Sequence, residues 1–311
     1  LSIIIPVVGN PSSLDDTLVS VLENRPNNSE IIVVHNRPYD DPYNLADEVR
    51  FIEVRRRAGF VECLNEGVAA SQSPIVQVLA CGVEVCPDWA DNALPEFSDP
   101  GIAAVGVAVV TRDESPKIVS IGWGYRSEGT AWRPGQGHLL AEAFGRVSNL
   151  CGPDTLATFY RKSALEAVGG FAKGVGDTLV GLDVAIALRQ AGFQCTLSST
   201  SMAYQDEDAK NDSAFQFGRH VERLFWRWAS AKGLATSLIG HFAVLTGQCV
   251  VGIVRPKMLL QLAGRFFGTV EAVFAKPRPK PAEPVRPSIV APPHFHMPAA
   301  KQEQQRSSRV A

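Results

Sequence analysis

The chain has 311 residues, of which 45% are apolar and 20% charged, with a formal net charge of -2. That mix suits a soluble globular protein with a substantial core, organised as about two domains or one large α/β domain with appendages. The near-neutral balance supplies no global field for a polyanion, so nucleic acid is set aside as a partner.

Ser2–Val8 is an isoleucine- and valine-rich run, the pattern of a strand buried on both faces, with Pro6 near its end. No charged leader with a cleavage site precedes it, so no secretory signal is expected and the expected location is the cytoplasm. The turn Asn10-Pro11-Ser12-Ser13 is expected to cap a helix with Leu14, Leu18, Val21 and Leu22 on one face. Glu30–His35 and Phe51–Val54 read as the second and third strands. Gly59–Ser71 reads as a helix with Val61, Leu64 and Val68 inward, and Ile75–Leu79 as the fourth strand. Pro87-Asp88-Trp89 opens a short helix. Strands and helices alternating at this spacing imply right-handed crossovers and a largely parallel sheet.

The second half opens with a strand over Ile102–Val110, then a glycine- and aromatic-rich region to about residue 150. Thr155–Tyr160 reads as a strand, Lys162–Val168 as a helix, and Thr178–Gln190 as a strongly amphipathic helix ending at Gly192. Phe193–Leu197 is the last strand, and Ser213–Phe274 is helical throughout. Within it Leu234–Val254 is a borderline membrane span, interrupted by His241 and Gln248. A pair of packed amphipathic helices is the first reading there, and peripheral attachment to the cytoplasmic face of a membrane the second. Beyond Lys276 proline and alanine dominate and periodicity ends, so 276–311 reads as a disordered tail. The six cysteines (63, 81, 86, 151, 195 and 249) form no C-x-x-C pair and point to reduced thiols.

Seven strings in order carry a resemblance: Ser2-Ile3-Ile4-Ile5-Pro6-Val7; Glu30-Ile31-Ile32-Val33-Val34; Gly59 with Leu64-Asn65-Glu66-Gly67; Pro87-Asp88-Trp89; Phe159 to Leu165; Val168-Gly169-Gly170-Phe171; and Gly181-Leu182-Asp183 leading into Leu188 to Phe193. With them the chain resembles a family 2 glycosyltransferase of the GT-A fold, from Leu1 to about Trp228. The resemblance implies an α/β, GT-A type nucleotide-diphospho-sugar transferase fold with a mostly parallel sheet flanked by helices. Residues 1–230 would form that domain, with a nucleotide-binding half at 1–98 and an acceptor half at 99–230. A helical segment at 231–275 and the tail follow.

By resemblance, Pro6, Val7, His35, Asn36, Asn65, Ala80 and Gly82 stand where the family binds its nucleotide sugar, Asn65 as a support of the donor loop. After the second strand the family carries an Asp-Asp-Gly-Ser-like turn, and this chain has His35-Asn36-Arg37-Pro38. Asn36 still offers a donor and an acceptor to a base edge; a capped turn with no ligand is the equal alternative. The family's acidic pair after the fourth strand holds Mg or Mn, but here the positions are Ala80 and Gly82, which supply no oxygen ligand. Glu84 reads as structural, Gln205 stands at the third ligand position, and Asp206-Glu207-Asp208 reads as a solvated face. No metal site is expected.

Asp183, after Leu182 in place of the family's Glu-Asp pair, is the expected catalytic base; the alternative is an aspartate stabilising the helix dipole. Arg219 and Arg223 are candidate phosphate-binding cations in place of the ion, since the leaving group's need is electrostatic. The Arg55-Arg56-Arg57 run reads mainly as solvated surface. Trp123, Tyr125, Trp132 and the Phe225-Trp226-Arg227-Trp228 cluster read as packing, and His294 and His296 fall in the tail.

Two functions stay open. One is inverting transfer of a sugar from a nucleotide-diphosphate donor to a glycan or lipid-linked hydroxyl acceptor, without the conventional metal. The other is a catalytically inactive GT-A domain that binds nucleotide sugar or acts as a scaffold.

Overall fold

Four isoleucine- and valine-rich runs form one side of the central sheet: β1 (Ser2–Val7), β2 (Glu30–His35), β3 (Val49–Glu53) and β4 (Ile75–Leu79), paired parallel in the order β3-β2-β1-β4. The computed structural model describes residues 1–9, 12–143, 150–206, 212–229 and 234–274. The Asn10-Pro11 turn, Glu207, Asp208 and the tail from 276 lie outside the described residues.

Every residue of β1 is buried, as expected of a central parallel strand with helices on both sides. Helix α1 (Leu14–Asn24) covers one face with Leu14, Leu18 and Val21, and α2 (Phe60–Ala70) the other with Val61, Leu64 and Val68. The capping differs from expectation. Ser13 makes no side-chain cap; instead the Thr17 hydroxyl donates to the Ser13 carbonyl at 3.2 Å.

The parallel pattern expected from the sequence holds over this half and then changes. After the two-residue β5 (Glu84–Val85), the short helix α3 (Trp89–Ala93) and β6 (Ile102–Val110), the chain forms β7 (Ile118–Ser120) and a separate hairpin of β8 (Gly124–Arg126) and β9 (Thr130–Trp132). Beyond one helical turn, α4 (Leu140–Ala143), strand β10 (Ala157–Arg161) inserts antiparallel between β4 and β6. Strand β11 (Gln194–Tyr204) runs parallel to β6 and antiparallel to β5, and is longer than Phe193–Leu197 because it resumes after an irregularity between Leu197 and Met202.

Helix α5 (Lys162–Ala167) and α6 (Gly176–Gln190) follow β10. Every residue of α6 from Leu179 to Leu188 is buried, Asp183 among them, so this is a core helix and not the amphipathic one its sequence suggested. The helical remainder divides into α7 (Ala214–Trp228), α8 (Leu234–Gly252) and α9 (Pro256–Val273).

Candidate functional site

From β1 the sheet grows outward through β2 and β3, and β4 then returns to the other side of β1. A reversal of strand order opens a crevice beyond the carboxyl ends of the two strands that flank it. Here those ends carry Val7 to Gly9 and Ala80 to Gly82, with His35-Asn36 at the neighbouring end of β2. The fold thus brings Pro6, Val7, His35, Asn36, Ala80 and Gly82 to one end of the sheet.

Asn36 is buried and ties three segments together. Its Oδ1 accepts the Gly9 N–H at 3.1 Å and its Nδ2 donates to the Ala58 carbonyl at 2.8 Å. His35 is also buried, with Nδ1 2.6 Å from the Arg37 carbonyl and its ring among Tyr39 and Phe51. Both side chains shape the rim of the crevice through these contacts.

The Ala80-Cys81-Gly82 turn is built to a backbone requirement. Gly82 has φ +89° and donates its N–H to Thr17 Oγ1 at 2.9 Å, and a Cβ there would stand 3.4 Å from that of Ser13. The Cys81 thiol is pushed up to about 11 by burial, so it is an unreactive neutral group. Glu84 pairs with Arg112, whose guanidinium lies 4.9 Å from the Tyr204 ring centre. Among the described residues no group of three His, Cys, Asp or Glu side chains is gathered for a metal ion. Ala80 and Gly82 have no side-chain oxygen to offer, and a neutral Gln205 amide does not replace the missing carboxylates. The residues at this loop do not fit a divalent ion.

Asn65 lies on α2. It pairs in two-pronged fashion with the backbone of Phe171, accepting its N–H at 2.9 Å and donating to its carbonyl at 2.8 Å. It therefore ties α2 to the Gly170–Phe171 turn that follows α5.

Asp183 is fully enclosed. Oδ2 accepts from Arg227 at 2.8 Å and Oδ1 from the Trp228 indole at 2.8 Å. It can take a proton from an acceptor only after those contacts open. Arg227 also donates to the Lys173 carbonyl at 2.6 Å, so α7 grips both α6 and the loop before it. In the sequence this grip is signalled only by a charged Arg227 inside an otherwise aromatic run.

Arg219 and Arg223 are engaged elsewhere. Glu271 of α9 accepts from Arg219 Nε at 2.8 Å, and Arg223 lies 3.3 Å from the same carboxylate. The two arginines expected to bind phosphate thus meet Glu271 across the α7–α9 contact. Arg55 is mostly in solvent, 3.9 Å from Glu62, as expected of a solvated run.

A second polar cluster has no local motif to mark it in the sequence. His220 Nδ1 lies 3.1 Å from Asp212, and Asp177 at the start of α6 is close enough to feel both. Partial desolvation and the Asp212 charge raise the Asp177 pKa, with His220 opposing. Nearby, Asp154 is buried against Arg133 at 2.9 Å, and Arg133 lies 4.7 Å from the Trp123 ring centre.

Against this geometry stand the comparisons. The glycosyl transferase family 2 model matches residues 2–168. The chain belongs to this family. Its matched region takes in the whole switch-point crevice and ends before Asp183.

Solved structures agree on the fold. A mannosyltransferase from Pyrobaculum calidifontis, in complex with GDP-Man and Mn2+, superposes with a TM-score of 0.53 at 13% identity, covering 88% of this chain and 86% of its own. Staphylococcus aureus TarS 1-349 gives 0.52 at 12% identity, covering 88% and 80%. GalNAc-T7 with UDP, GalNAc and Mn2+ gives 0.54 at 14%, covering 74% and 50%. No curated protein matches the chain.

Proposed function

We propose that this family 2 domain transfers a sugar from a nucleotide-diphosphate donor to a hydroxyl acceptor by direct, inverting displacement. The observation that carries the reading is the family match over the crevice where β1 and β4 diverge. The donor's nucleotide would lie against Gly9, Asn36 and the Ala80–Gly82 turn, with Asn36 fixing the walls while backbone groups meet the base. Two of the structural neighbours hold Mn2+ with a nucleotide or nucleotide sugar. Ala80 and Gly82 do not fit that ion, so no step is routed through one.

Charge on the leaving diphosphate needs a cation of the protein's own. Arg112 stands at the same end of the sheet, on Glu84 and Tyr204, and is better placed for that role than Arg219 and Arg223, which Glu271 holds. Asp183 remains the base of this reading if acceptor entry draws Arg227 and Trp228 away from it.

A second reading has its own support: the missing carboxylates at Ala80 and Gly82 and the closed Asp183 suit a domain that binds nucleotide sugar without turning it over. One experiment separates the two. Titration with a panel of nucleotide sugars, with and without Mn, should give metal-independent binding and slow hydrolysis that Arg112→Glu abolishes. Binding without hydrolysis favours the second reading, and no binding to any donor defeats both in favour of a scaffolding domain.

A further inference from the structure

Helices α8 and α9 turn their polar faces inward and their apolar faces out. Arg265 is 2% exposed, while its neighbour Phe266 is 68% exposed. The outer stripe of α9 consists of Leu259, Leu260, Phe266, Phe267, Val270 and Val273, and Lys257 in the first turn is the one charged residue among the helix's exposed positions. On α8, Ile239, Phe242 and Val250 face outward in the same way, while Ser237 and His241 are buried. A soluble surface helix has the reverse pattern, and a monomer rarely leaves more than about 300–600 Å2 of contiguous apolar surface bare.

This orientation is fixed by tight packing. A Cβ added at Gly218 would lie 2.0 Å from the Gln261 carbonyl, and one at Gly264 2.0 Å from that of Phe215, so α7 and α9 meet backbone to backbone. His241 stacks on Phe225 with ring centres 3.8 Å apart and reaches Glu222 at 3.0 Å. Neither helix can roll its apolar face inward without giving up these contacts.

We infer that the α8–α9 hairpin seats the protein on an anionic lipid bilayer, lying in the plane of the interface. Charge favours that occupant. Between Leu234 and Lys280 the sequence carries Arg255, Lys257, Lys276, Arg278 and Lys280 besides Arg265, which is buried on Glu222; the one acid, Glu271, is paired with Arg219. The junction of the helices presents Ile253 and Val254, 81% and 82% exposed, directly beside Arg255 and Lys257. Apolar side chains enter the acyl boundary while flanking cations reach the headgroups. A groove of about 520 Å3 opens between the helices, its walls Leu245, Leu259, Leu262, Phe266 and Val270 and its polar lining the mutually paired Glu222, Arg265 and Thr269, room for part of an acyl chain along the apolar walls.

Helix α8 is apolar enough over Ala235–Gly252 to cross a membrane, with a mean hydropathy of 1.3. Crossing would strip His241 from Glu222 and from the Glu128 carbonyl, both within 3.0 Å, whereas lying flat keeps them. The geometry therefore favours the in-plane arrangement.

The test is flotation of the full chain with phosphatidylcholine vesicles and with vesicles that also carry phosphatidylglycerol. Binding is expected to require phosphatidylglycerol, to weaken in high salt, and to be released by alkaline carbonate. Arg255→Glu with Lys257→Glu should lower vesicle affinity about tenfold or more. Ile253→Glu with Val254→Glu, or Phe266→Glu, should abolish it with unchanged melting, because these side chains are in solvent in the free protein. Three results overturn the inference: no flotation with either vesicle, retention through carbonate extraction as a spanning helix would show, or a lipid-free dimer that Ile253→Glu with Val254→Glu dissociates.

Discussion

The Asp183 carboxylate meets the Arg227 guanidinium at 2.8 Å in a place where Asp183 has no solvent exposure and the Arg227 side chain only 10%. The pair joins the core helix α6 to α7, and the Trp228 indole completes it. Removing one member of a buried pair strands the other, at a cost of about 3–5 kcal/mol. Asp183→Asn and Arg227→Met are each expected to lose stability on that scale in urea unfolding. The double variant should recover part of the loss, since no buried charge is then left alone. A single Asp183→Asn protein as stable as the parent would refute the structural role.

At the Ala80–Gly82 turn, the two positions where the family has acids are not equivalent. Gly82 sits at φ +89° against Ser13, so a side chain there is strained whatever its charge. Gly82→Asp is expected to cost about 1–3 kcal/mol. Ala80 has no such backbone constraint, and although it packs partly against the core, Ala80→Asp should cost less than Gly82→Asp. Denaturant titration of the two single variants measures the difference. Equal stability would mean that the turn relaxes around the new carboxylate.

Much of the first half was legible because it depends on local pattern. Strands β1, β2, β4 and β6 are apolar runs bounded by turn residues, and the family strings fixed their order. Strand β10 was harder, because a strand buried on both faces reads the same whether it runs parallel or antiparallel. Helix α6 is buried on all sides, so its moment said little about orientation. The site suffered most from contacts between distant residues. Nothing near Asp183 in sequence announces Arg227, 44 residues on, and nothing near Arg219 announces Glu271, 52 residues on. Chemistry assigned by motif position named plausible residue types; which partner occupied each was decided by packing.

Arg219 offers a direct check on that point. Its guanidinium is held by Glu271, and about a third of each side chain is in solvent, so the pair itself contributes no more than about 1 kcal/mol. Arg219→Glu sets two carboxylates against each other across the α7–α9 seam. The expected result is faster proteolytic release of α9 with unchanged nucleotide-diphosphate affinity by calorimetry. Loss of nucleotide binding with α9 still protected would return Arg219 to the phosphate role.

The deepest ionic contact at the C-terminal helices is sensitive to acid. Glu222 is 1% exposed and accepts from His241 at 3.0 Å, Arg265 at 3.0 Å, Thr269 at 3.0 Å and the Trp226 indole at 2.9 Å. Burial alone would raise its pKa, but the hydrogen bonds and charges of His241 and Arg265 outweigh it and hold the carboxyl below its usual range. A carboxylate whose folded pKa is depressed contributes stability that is fully present above its unfolded value, about 4.3, and is lost as pH falls toward the folded one. The packing of α7, α8 and α9 should therefore loosen below about pH 4, and the fluorescence of Trp226 should report it. Glu222→Gln strands the buried Arg265 and should cost about 3–5 kcal/mol at neutral pH. It should also flatten the acid dependence, because the titrating group is gone. An acid transition of unchanged steepness in Glu222→Gln would place the sensitivity in another carboxylate.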